Sequence, residues 1–166
     1  MTLIESGRTT HDHDGELVVF LIGMRINRWW RPDLWLPVFN AMPPMLAELA
    51  KDPASGMLGY RLTLGEGGPL LIMYWDSHEL LYAYASRPDA QHRPAWTRFN
   101  QRARKAPGAV GIWHETFQVA VAESIYAGMP VSGLAKATGA VPVGRRGERA
   151  QERYQAGGTP ERSRCL

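Results

Sequence analysis

A chain of 166 residues, 45% hydrophobic and 10% aromatic, has the length of one domain and enough apolar side chains to bury a core, which excludes global disorder. Its formal charge of +3 is unevenly spread, with +4 in residues 136–166 and −1 in the remainder. A basic segment appended to a near-neutral body is not the basic folded face that specific nucleic-acid binding requires, so that class is set aside.

Residues 1–14 are polar, lack the apolar stretch of a signal peptide, and are expected to form a flexible N-terminal arm. Within it His11, Asp12, His13 and Asp14 look like a metal tract. Two imidazoles alone make an incomplete site, so the tract is read as solvated. Glu16 to Asn27 is rich in β-branched and aromatic residues and predicts a strand buried on both faces. It is too short, and with Arg25 too polar, to span a bilayer as a helix. The single cysteine, Cys165, allows no internal disulfide, which points to a reducing compartment and a cytoplasmic protein.

After the connection Arg28-Trp29-Trp30-Arg31-Pro32, a helical region runs to about Lys51. Pro37, Pro43 and Pro44 divide it into two short helices. Gly56 to Gly65 predicts a second strand, Glu66 to Pro69 a turn, and Leu70 to Trp75 a third strand paired with the second. Asp76-Ser77 is good N-cap chemistry for a helix ending near Arg87-Pro88. The helix restarts near Pro94 and runs to Lys105, with His92 at the joint. Ala109 to Ala122 predicts the fourth strand.

The order β-α-β-β-α-β is α+β and ferredoxin-like. One such unit covers one sheet face with helices and leaves the other needing a partner, so a homodimer forming an α/β barrel is expected. The domain spans residues 15–142, ending in an ordered extension that would wrap a neighbour or a pocket mouth. Residues 143–166 read as a disordered basic tail.

No phosphate loop, dinucleotide fingerprint, HExxH, paired CxxC or nucleophile elbow occurs. The remaining chemistry is carried by histidines, aromatics and amides near strand ends. His92, at a helix break beside aromatic residues, can point into a cavity, as an acid/base or as a ligand for haem iron; the alternative is a capping residue. His114 shares a strand face with Ile112, Thr116 and Gln118, and is either a pocket base or a satisfied core residue. Asn27 could hold oxygen or a carbonyl, or simply end a strand. Arg25, if buried, would pair with Glu115 or a ligand carboxylate. Trp29, Trp30, Trp35, Tyr82, Tyr84 and Trp96 are candidate aromatic walls.

Taken in order, FLIGMRINRWW, PVFNAMPPMLAEL, YWDS, HRPAW, GIWHETF and IYAGMP-SGLAKATG resemble a domain-of-unknown-function family. That family is similar to the fumagillin-pathway monooxygenase, within the dimeric α/β-barrel, antibiotic biosynthesis monooxygenase-like superfamily. The resemblance covers about residues 14–142. It implies a monooxygenase-like enzyme oxidising a hydrophobic or aromatic small molecule with O2. It implies, alternatively, a haem-binding relative of the dehydratase, peroxidase or haem-degrading type. A non-catalytic dimer holding a hydrophobic metabolite is the reading from another class. The cofactor is accordingly either none or haem b. Asn27, Tyr84 and His92 fall at roughly the places that surround haem in the degraders, which carry Trp where this chain has Tyr84.

Overall fold

The computed structural model describes residues 4–88 and 92–157, and of His92 the backbone alone. In chain order the strands and helices are β1 (Arg8–His11), β2 (Val18–Ile26), α1 (Pro32–Phe39), α2 (Met42–Lys51), β3 (Met57–Gly65), β4 (Gly68–Trp75), α3 (His78–Ser86), α4 (His92–Lys105), β5 (Val110–Gln118), β6 (Tyr126–Ala127), α5 (Gly133–Thr138), β7 (Ala140–Pro142) and α6 (Ala150–Ala156).

The main sheet is antiparallel with strand order β3-β4-β2-β5, the ferredoxin-like arrangement expected from the element order. β2 is central because it can be buried on both faces, and it pairs with β4 (Val18 opposite Trp75) and with β5 (Ile22 opposite His114). The β3–β4 hairpin closes through Glu66 and Gly67, where Gly67 takes a φ of 84° that a side chain would strain. The proline-divided helical region is two helices, with Pro43 and Pro44 in the first turn of α2, where a missing N–H costs no hydrogen bond. Ser77 caps α3 by accepting from the Leu80 backbone N–H at 3.2 Å. α4 begins at His92, two residues earlier than Pro94, which the first helical turn accommodates.

Register fixes what each sheet face carries. Val18, Phe20, Ile22 and Met24 face α1 to α4 together with Leu71, Met73 and Trp75. Trp75 and Val18 are fully buried there, packed with Leu49 of α2 and Leu81 of α3. Val19 and Leu21 face the other way with Ile72 and Tyr74.

The extension covers part of that second face, not a pocket mouth: Leu134 of α5 packs with Leu17 and Tyr74, and Ala137 packs beside them. Gly59 of β3 makes this approach possible, since a Cβ there would lie 2.9 Å from the Ala137 Cβ.

Both termini depart from expectation. Residues 8–11 are not a flexible arm but the middle strand of a second sheet, β6-β1-β7. Thr10 and His11 are buried, His11 at 2% exposure. The Ser124 hydroxyl lies 2.8 Å from His11 Nδ1 and accepts from the His11 backbone N–H at 3.2 Å. Burial first, and then the Arg146 charge, holds the His11 imidazole below its ordinary pKa.

The supposed tail folds back through residue 157. Arg153 of α6 is 4% exposed and donates from Nε to Glu123 Oε1 at 2.7 Å. Its Nη1 donates to the Gly147 and Glu148 carbonyls at 3.1 and 2.9 Å. Arg146 pairs with Asp12 and Asp14, so the HDHD tract is a docking element and not a solvated one. The positive charge that composition assigned to a mobile tail is partly spent on tying the two ends together. Residues 158–166 of the expected tail lie outside the described residues.

Candidate active site

The helix-covered face of the sheet is not filled. A cavity of about 1150 Å³ lies between it and the helices, slightly above the ~300–1,000 Å³ usual for small-molecule sites. Its floor is the sheet: Ile22 and Met24 of β2, Tyr60 and Leu62 of β3, Leu71 of β4, and Ile112 and His114 of β5. The end of α1 and most of α2 form one wall, where prolines and Met42, Met45 and Leu46 face inward. The cavity-facing stripe of α4, which carries Ala95, Arg98, Phe99 and Arg102 at helical spacing, forms the other. Toward the β3 edge the helices no longer cover the sheet, and Leu62 and Leu64 are 57% and 84% exposed.

Two of the sequence-predicted site residues meet here. His114 lies on the cavity floor because its register, opposite Ile22, puts it on the helix-facing side of the sheet. Its ring sits 5.6 Å from Phe20. Trp96 of α4 lines the same cavity and stacks on Phe99 at 5.4 Å.

The others do not line it. Arg25 is not buried in its strand: it is exposed, opposite Gly111, and reaches Asn27 Oδ1 at 3.1 Å and Glu66 at 3.5 Å instead of Glu115. Asn27 donates to the Gly108 carbonyl at 3.0 Å, so both residues brace the turn before β5. Trp29 packs on Trp35 at 5.9 Å and accepts at its carbonyl from the Trp35 indole. Trp30 is exposed, and Tyr82 packs edge-on against His78.

Tyr84 lies against Trp75 and donates to Glu48 at 3.3 Å. Burial and then the Glu48 charge push its hydroxyl up to about 12, so it stays protonated at neutral pH. His92 begins α4, but its side chain lies outside the described residues.

Sequence reasoning missed Asn40, Arg93, Arg98 and Arg102, polar groups that share the cavity with His114. The spacing of Arg98 and Arg102, one turn apart with Phe99 between them, was the available signal. Among the described residues no group of three His, Cys, Asp or Glu is placed to hold a metal ion. No helix among them is long and apolar enough to cross a membrane.

A family model described as Monooxygenase af470-like matches residues 17–134, more than half of the chain. No curated protein matches it. Among solved structures, the aldoxime dehydratase OxdRE in complex with butyraldoxime is 20% identical with a TM-score of 0.52; the match covers 68% of this chain and 34% of that one. This chain therefore corresponds to about a third of that protein, and the likeness is one of fold. SnoaB, a cofactor-independent oxygenase from Streptomyces nogalater, is 14% identical over 63% of this chain and 94% of its own, with a TM-score of 0.40. A dimeric ferredoxin-like protein of unknown function from Jannaschia sp. CCS1 is 16% identical over 60% and 97%, with a TM-score of 0.41.

Proposed function

The chain belongs to the monooxygenase af470-like family, and from that premise we propose that the cavity oxidises a hydrophobic or aromatic small molecule with O2, with His114 as the base. The supporting observation is an imidazole on the floor of a cavity whose other sheet-borne lining is apolar but for Tyr60. Such a wall accepts an aromatic body, and a histidine exchanges protons near neutral pH.

The chemistry follows from those two properties. His114 takes a proton from an electron-rich carbon acid or phenol. The substrate anion gives one electron to O2, and the substrate radical and superoxide then join through a new carbon–oxygen bond. The resulting hydroperoxide anion takes the proton back from the imidazolium and loses water, leaving a carbonyl. One oxygen atom ends in the product and one in water, and all the electrons come from the substrate. The apolar walls exclude solvent from the anion until oxygen reaches it.

Haem b was the alternative implied by the resemblance. A ligating histidine is ordinarily oriented by a hydrogen bond from its second ring nitrogen. Among the described residues the His114 ring has no such partner, and no step is assigned to haem. His92 stands outside this test.

The sheet face opposite the cavity supports the homodimer. The extension covers only one end of it, leaving Phe117 50% exposed on the face that also carries Leu21, Glu115, Trp113 and Leu70, a surface suited to a second copy. Gel filtration at twice the chain mass is expected, and elution as a monomer would remove the barrel.

The decisive experiment is oxygen uptake with phenols and aromatic polyketides. His114→Ala should lower kcat by about 10²- to 10⁴-fold, the usual worth of a positioned base. Folding should be unaffected, since the side chain is exposed in the cavity. A folded variant that consumes oxygen at the parental rate would overturn the assignment.

A further inference from the structure

The charge on the cavity wall is of one sign. Among the described residues its lining includes Arg93, Arg98 and Arg102 and not one aspartate or glutamate. Arg93 donates to the Ser86 carbonyl, while Arg98 and Arg102 have no acidic partner among the described residues. Arg98 is exposed at the cavity wall, whereas Arg102 is half-buried where the cavity meets a smaller one lined by Leu34, Val38 and Ala106. A guanidinium drawn out of water beside aliphatic side chains loses hydration that an anion would restore. Elsewhere in this chain the withdrawn guanidiniums are matched: Arg153 has Glu123, and Arg146 has Asp12 and Asp14.

Spacing sharpens the contrast. Arg98 and Arg102 project from one face of α4, one turn apart, and so can close on a single carboxylate from two sides. Phe99 and Trp96 lie between and beside them, offering a flat apolar surface next to the charge. The sheet floor beyond is apolar apart from His114 and the Tyr60 hydroxyl.

We propose that the cavity selects an organic anion: an apolar or aromatic body on the sheet floor, with a carboxylate or similar acidic head held by Arg98 and Arg102. This deepens the monooxygenase reading and rests on it only for turnover, because binding can be measured without oxygen. The two arginines are positioning residues that fix which end of the substrate reaches His114.

The test uses two fluorescent probes with the same aromatic body, 1-anilinonaphthalene-8-sulfonate, which is anionic, and N-phenyl-1-naphthylamine, which is neutral. The anionic probe should bind the full-length protein about ten- to a hundredfold more tightly, the worth of a charge-assisted contact. Added salt should narrow that gap. In R98Q/R102Q the anionic probe should fall to the level of the neutral one, whose binding stays unchanged. Glutamine keeps the helix propensity, so circular dichroism should match the parent. 2-Naphthoate should displace the anionic probe from the parent protein and fail to do so from the variant.

Equal binding of the two probes, or undiminished anion binding in R98Q/R102Q, would overturn the inference. The two readings fail separately. Arginine-dependent anion binding without oxygen uptake from any acid would keep this inference and sink the monooxygenase. Oxygen uptake with neutral substrates, unaltered in R98Q/R102Q, would do the reverse.

Discussion

The two faces of the main sheet are built from the same strands and end in opposite states. On one, α5 approaches so closely that Gly59 has no room for a methyl group, and the chain's own extension seals the contact. On the other, α2 and α3 meet the sheet around Trp75 and Leu71, while α1 and α4 stand across a cavity that opens toward the β3 edge. Side chains of similar apolarity thus serve as packing on one side and as a binding wall on the other. What separates them is the shape of the covering element: a short helix with small residues seats flat, while proline-broken α1 and α2 cannot.

The covered side should be the sensitive one. Arg153→Ala removes the partner of Glu123 at the clasp holding the C-terminal segment, and should cost about 3–5 kcal/mol. Urea denaturation would measure it; a loss below 1 kcal/mol would mean the clasp is ornamental and the extension docks by α5 alone.

Gly59→Ala should cost about 1–3 kcal/mol, because its methyl would meet Ala137 at 2.9 Å. Wild-type stability there would show that α5 can shift, and the distinction between the faces would blur. On the cavity side Leu62→Ala should change stability by no more than about 0.5 kcal/mol, since Leu62 is already 57% exposed. A larger loss would mean the cavity wall is load-sharing core after all.

Much of the fold was legible in residue order. The apolar run of β2, the proline-punctuated helices, the Gly67 hairpin and the Ser77 cap are local signals, set by backbone sterics and side-chain hydrogen bonding over a few residues. The break between α3 and α4 belonged to the same class. The termini were not legible, because polarity and charge read as solvation when no partner is in view. Arg153 and Glu123 lie 30 positions apart, and Arg146 and Asp14 lie 132 apart.

The site divided along the same line. His114 and Trp96 could be named from composition and face, but Arg25 and Asn27 could not be placed, since their partners at the strand end, each other and the Gly108 carbonyl, are set by the fold. By itself the sequence determined the element order, the sheet faces and the stock of groups able to do chemistry. The tertiary structure alone decided which groups share a cavity, that among the described residues its charged wall carries arginines and no acid, and that residues 8–14 and 146–148 are tied together by ion pairs. Local periodicity reports which way a side chain points along its own element; only the packing of distant elements decides what stands opposite it.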